Sequence, residues 1–259
     1  MFTVAKEWTI PTRGVGLPDY STQAPIGGVP QGSIYTNNDS GELATRLGAY
    51  NSIDRRGTVV LHDNFESGTE GWVKTLGAGV GSNCEWSTES FRNGGYSMKV
   101  SGGLATASTV RRMWGVSDPN KVGMEFSFAV EFYNMLAGTN YYSDNVNQYY
   151  AMWYLVGAQL YVLDATAGAV LVGNDVEALF DDQNFNTIKM VWDTETARYT
   201  RILFNQVEFD ITQRSVPFLP APIVGKHMAA ELQIASRAAA NDYIYLDDFI
   251  ATINEPNNT

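Results

Sequence analysis

The sequence is short of cysteine, histidine, basic charge and long apolar runs, and each shortage narrows what the protein can be. Cys84 is the only cysteine, so no intramolecular disulfide forms and the thiol reads as a small packing residue. The two histidines, His62 and His227, lie far apart, and neither belongs to a metal-ligand spacing such as HExxH. No stretch approaches the roughly 18 apolar residues of a membrane-spanning helix. The opening MFTVAKEWTIPTRG lacks the basic-then-apolar order of a secretion signal, so the chain is expected to be made in the cytoplasm. Lys and Arg number 17 against 28 Asp and Glu, a net charge of −11. Residues 1–60 carry five side chains of each sign, so the whole excess falls on residues 61–259. An acidic body repels phosphate backbones and anionic lipid headgroups, and neither nucleic acid nor a membrane is expected as a partner. Phosphate-binding Gly-rich loops, nucleophile elbows and Cys–His pairs are all missing. Asp181 and Asp182 are adjacent in sequence and do not supply the two separated carboxylates of a glycosidase. The expectation is a protein that is not an enzyme.

What is present is material for a core, with 44% hydrophobic and 12% aromatic residues. Residues 11–60 hold eight of the 24 glycines and four of the nine prolines, without amphipathic period. Residues 1–57 are therefore read as an extended N-terminal arm ahead of a domain spanning 58–259. Such an arm buries too little to offset its own ordering entropy and needs a surface, either its own domain or neighbouring subunits. From Thr58 onward, short alternations of Val, Ile, Phe, Tyr and Met are cut by Gly, Asn and Asp clusters. They predict strands at 58–65, 84–90, 96–101, 107–114, 122–133, 148–156, 159–164, 169–172, 187–193, 197–204, 207–211, 228–235 and 243–253. A short helical turn is expected at Asp175 to Phe180. In residues 185–211, Ile188, Met190 and Trp192 share one face, DTETA turns the chain, and Tyr199, Ile202 and Phe204 continue inside after a one-residue slip. The fold class expected is all-β, an antiparallel two-sheet sandwich.

Leu61 to Trp72, LHDNFESGTEGW, and Tyr243 to Ile250, YIYLDDFI, resemble the first and last strands of carbohydrate-binding-module-like jelly rolls. The 185–211 meander resembles the back sheet of laminin-G-like and concanavalin-like sandwiches. The resemblance implies a jelly roll and a structural calcium ion near the joined strands, held by Glu66 and Asp248 with the loop around Asn93 and Gly95. It also implies that aromatic rings on one sheet face hold a surface glycan, with Tyr150, Trp153 and Tyr154 as the stacking residues. Alternation separates Tyr150, Met152 and Tyr154 from Tyr149 and Trp153, and one of those two faces is core.

Segment LATRLGAYNSIDRRGTVVLHDNFESG resembles the arm-to-jelly-roll junction of bacteriophage structural proteins. That resemblance implies a non-enzymatic virion protein, a head-decoration or tail component located in the virion. Its partners would be other virion proteins and copies of itself, as a trimer. Arg55 and Arg56 would pin the arm to an acidic neighbour in the assembly. A glycan-binding module is the alternative. A concanavalin-like polysaccharide lyase or hydrolase is the second, and its Glu-x-Asp-x-x-Glu signature is absent.

Overall fold

A computed structural model of the chain describes residues 56–176, 181–220 and 225–256. Its described strands fall into two eight-stranded antiparallel sheets, and no helix occurs among the described residues. The first sheet runs, edge to edge, β13 (Val207–Asp210), β12 (Arg198–Phe204), β11 (Asp181–Asp193), β6 (Lys121–Val130), β16 (Tyr243–Ile253), β4 (Ser97–Ser101) and β3 (Asn83–Ser87). Strand β1 (Thr58–Asp63) also pairs with β16. The second sheet runs β10 (Gly168–Gly173), β9 (Gln159–Asp164), β8 (Asn147–Val156), β7 (Met135–Ser143), β15 (His227–Ala235), β5 (Ala107–Gly115) and β2 (Val73–Thr75), with β14 (Phe218–Pro220) on β8.

Alternation with period two sends one face of each sheet inward. Val122, Met124, Phe126, Phe128 and Val130 of β6 meet Ala151, Trp153 and Leu155 of β8 and Met228, Ala230, Leu232 and Ile234 of β15, all buried. Each large side chain so buried contributes about 1.5–3 kcal/mol. The fold is the all-β sandwich expected, and β9 and β16 occupy the spans read from the sequence.

The 185–211 meander forms with its slip. Trp192 pairs with Tyr199 but Val191 pairs with Arg201, so Thr200 is the extra residue. Tyr199, Ile202 and Phe204 all stay inside. Asp193 accepts the N–H groups of Glu195 and Thr196 at 2.9 Å and so sets the turn.

Three strands were not expected from the sequence, and β11 begins at Asp181, ahead of the expected span. The span 122–133 ends at Val130, and a separate central strand, β7, follows from Met135. Between the inward Leu136 and Tyr142 it carries Gly138 and Asn140 in place of large apolar residues, which hid it. A Cβ at Gly138 would lie 2.4 Å from the Trp153 indole, so the strand gives way to that ring. Strands β2 and β14 are three-residue edge pieces too short to show a period. Of the segment expected as a helical turn, only Asp175 and Val176 lie among the described residues. The arm up to Arg55 lies outside them.

Strand β16 keeps β6 along one side and changes partner on the other. Tyr243–Leu246 pair with β4, whereas Phe249–Ile253 pair with β1. The changeover falls at Asp247 and Asp248, where the register shifts and Asp248 takes a left-handed φ of 47°.

Candidate functional site

At this changeover the sheet edge has a gap, and the loop ahead of β4 fills it. Arg92 and Asn93 donate main-chain N–H groups to Asp247 at 2.7 and 3.1 Å, and the N–H of Asp248 adds a third at 2.8 Å. Burial, and then the neighbouring Asp248 carboxylate, push the Asp247 pKa up to about 7 against those donors. Asp248 accepts from the Asn93 amide and lies 3.3 Å from His62 Nε2. That bond with Asp248 raises the His62 pKa above its usual value. Glu66 accepts the N–H groups of Gly95 and Tyr96 at 2.8 and 2.9 Å. One loop thus ties Glu66, Asn93 and Asp248 into a single cluster.

Its donor set, two carboxylates and an amide, is the hard-oxygen chemistry that suits calcium. Among the described residues no three His, Cys, Asp or Glu side chains gather closely enough to hold a metal. An ion here would draw on Asn93 and main-chain oxygens as well. Asp63, one strand end away, is taken up by Arg112 and by the Trp72 indole N–H at 3.0 Å.

The second candidate is the outer face of the second sheet. Inward alternation claims Tyr149, Ala151, Trp153 and Leu155 of β8, leaving Tyr150, Met152 and Tyr154 outside, each half-buried. Trp153 is 0% exposed, with Phe126 and Phe128 at ring-centroid distances of 6.5 and 6.3 Å. This corrects the expectation for Trp153: the indole is a core residue with no face for a sugar. Tyr150 and Tyr154 remain on the surface and gain partners that were not among the expected stacking residues. Tyr141 of β7 pairs with Tyr150 across the strands, and Tyr161 of β9 stacks on Tyr154 at 5.0 Å and 4°. Beside Tyr141, Arg111 of β5 ion-pairs with Glu231 of β15, and the Tyr141 hydroxyl donates to Glu231 at 3.2 Å. The Arg111 guanidinium lies 4.8 Å above the Tyr141 ring. Alternation along β7 and β9 was the available signal for Tyr141 and Tyr161, and β7 was not recognised.

The first sheet's outer face is built differently. Lys189 of β11 pairs with Glu255 at 2.7 Å and donates to the Arg56 carbonyl at 3.0 Å. Arg201 of β12 pairs with Glu255 and donates to the Pro256 carbonyl at 2.9 Å. All three charged side chains are essentially solvent-free. Arg92 reaches Ser127 of β6 and Thr187 of β11 across the same face. Arg56 pairs with Glu208 of β13 within the chain at 2.7 Å, and Arg55 lies outside the described residues.

No protein-family model matches the chain, and no curated protein matches it in sequence. Among solved structures it is similar to a conserved carbohydrate esterase of the Shiga toxin-encoding bacteriophage phi24B, at 13% identity and TM-score 0.48, covering 77% of this chain and 100% of that one. It is similar to the cellulose-induced protein Cip1 at 12% identity and TM-score 0.47, covering 77% and 100%. A Bacillus subtilis protein of unknown function with a galectin-like fold gives 11% identity and TM-score 0.48, covering 78% and 98%. The likeness to all three is one of fold.

Proposed function

We propose that the protein is a non-catalytic glycan-binding jelly roll whose ligand lies on the outer face of the second sheet. The observation that carries this reading is the outward tyrosine set, Tyr141 with Tyr150 and Tyr154 with Tyr161, half-buried and held in place by its neighbours. Rings of this kind offer apolar area to sugar C–H faces at low entropic cost, while their hydroxyls meet those of the sugar. No constellation of nucleophile, base and oxyanion donors accompanies them among the described residues.

A glycan array followed by titration calorimetry tests the reading. The wild-type protein binds at least one glycan class, and Tyr150→Ala and Tyr154→Ala each weaken that binding with the melting temperature held. Retention of full affinity in both variants would remove this face as the site.

Calcium belongs to the proposal as a structural ion at Glu66, Asn93 and Asp248, where it would offset the adjacent Asp247 and Asp248 charges. The resemblance at the arm junction supports a virion setting, in which copies of the chain assemble through residues 1–57 and the jelly roll faces outward. Light scattering on the full chain beside a chain starting at Thr58 separates the two outcomes. A full-length assembly that the shorter chain fails to form supports the virion setting, and a full-length monomer removes it.

A further inference from the structure

The inference rests on the glycan-binding reading and concerns the chemistry of the ligand. We infer that the tyrosine face takes a neutral, extended oligosaccharide and discriminates against uronic, sialylated and sulfated chains. The first reason is charge. Residues 61–259 carry the whole net charge of −11, yet strand alternation directs only two Asp, Glu, Lys or Arg side chains to this face from β5, β15, β7, β8 and β9 among the described residues. They are Arg111 and Glu231, and they neutralise each other.

Among the described residues of these five strands, Arg111 is also the one Lys or Arg on the face that could pair with an acidic sugar. Its Nε donates to Glu231 at 2.7 Å, a second nitrogen grips the same carboxylate, and its plane covers the Tyr141 ring at 4.8 Å. The fork that would read a carboxylate or sulfate is therefore occupied. A ligand anion placed there would sit beside Glu231 and meet a like charge within a strongly acidic domain. Hydroxyls meet no such penalty. Gln148 of β8, Gln159 of β9, and Thr109 and Gln233 of the β5–β15 row lie along the margins and can donate or accept as a sugar hydroxyl requires.

The second reason is length. The tyrosines form two pairs, Tyr141 with Tyr150 and Tyr154 with Tyr161, and Tyr150 and Tyr154 stand four residues apart on β8. At about 3.3 Å per residue the two pairs are about 13 Å apart. Thr139 and Met152 lie opposite each other between them, without an intervening ring. One monosaccharide covers one pair. A chain of several sugars covers both and gains from the two contacts together.

The test is calorimetric titration at near-physiological salt of the full-length protein with two panels. One contains neutral gluco-, xylo-, manno- and galacto-oligosaccharides from monomer to hexamer. The other contains oligogalacturonate, hyaluronan fragments, heparin fragments and sialylated oligosaccharides. The expected result is binding confined to the neutral panel, with affinity rising by about tenfold or more between monomer and tetramer. Tyr150→Ala and Tyr154→Ala, checked for an unchanged melting temperature, each flatten that length dependence. Preferential binding of an acidic chain overturns the inference while the glycan-binding reading stands. Equal affinity for monomer and tetramer likewise overturns it. Failure to bind either panel or any glycan on a broad array overturns the reading itself, and the inference with it.

Discussion

The two sheets treat their outward faces in opposite ways. Across the first, charged side chains are numerous and buried: Glu125, Lys189, Arg201 and Glu255 are each less than 5% exposed, and main-chain carbonyls of Arg56 and Pro256 help to satisfy the cations. Across the second, a neutral set of half-buried tyrosines flanks one mutually cancelled ion pair. A buried charge is tolerated only when its partners are fixed, so the first face is a clasp that fixes where the chain enters and leaves the sandwich. Rings left half-open retain surface for another molecule, which is why the proposed ligand site is placed on the second.

The comparison breaks most visibly at its buried members. Glu255→Gln removes the common partner of Lys189 and Arg201, and it is expected to cost about 3–5 kcal/mol in a urea unfolding titration. A cost under about 1 kcal/mol would strip the clasp of its structural role. Trp153→Ala is expected to cost a similar amount, about 3–5 kcal/mol, because the ring fills the hollow over Gly138.

Calcium comes next. At a free concentration about a hundredfold above its dissociation constant, an ion at the strand changeover adds about 2.7 kcal/mol. Melting curves in calcium and in chelator should then separate, and Asp248→Asn should bring them together. Coincident curves for the wild-type protein remove the ion.

A pH series sharpens the contrast between the two ways of holding a buried carboxylate. Asp164, inward at the end of β9, is pushed up by burial, but hydrogen bonds from Thr166, Ala167 and Ser215 outweigh that and hold its pKa well below the usual range. Its contribution is fully present above the unfolded-state pKa of about 3.9 and is lost as pH falls through the lower folded value. Asp164→Asn should be less stable than wild type at neutral pH and lose less stability on acidification below about pH 4. Parallel acid denaturation curves would count against those bonds. The smallest stability effect belongs to the open face, where Tyr154→Phe stays within about 0.5 kcal/mol and shows its change only in ligand titration.

Much of the sandwich was legible because alternation is a direct image of the pleat. Strands β9 and β16 and the slip at Thr200 could all be read that way. Strand β7 could not, since Gly138 and Asn140 face inward where the usual signal is a large apolar residue. Their neighbours explain it: Trp153 overlies Gly138, and Asn140 stands between Ala230 and Ala151. The same alternation separated Trp153 from Tyr150 and Tyr154 but did not say which side was core, and the structure gives Trp153 to the interior. The Arg111–Glu231 pair was invisible because strands β5 and β15 lie over a hundred residues apart in the chain, and pairing register alone brings them together.

The pairing of β1 with β16 sets Thr58 beside Ile253, with both strand ends at the same end of the sheet. A pulling force applied between those two residues would load the hydrogen bonds of this pair one at a time, as in opening a zipper, instead of shearing them together. The first strand would come away early, and with it the Asp63 carboxylate that accepts the Trp72 indole N–H at 3.0 Å. A domain hung by its two ends is therefore mechanically soft at its seam, whereas the same domain held through its sheet faces bears load across the full width of both sheets.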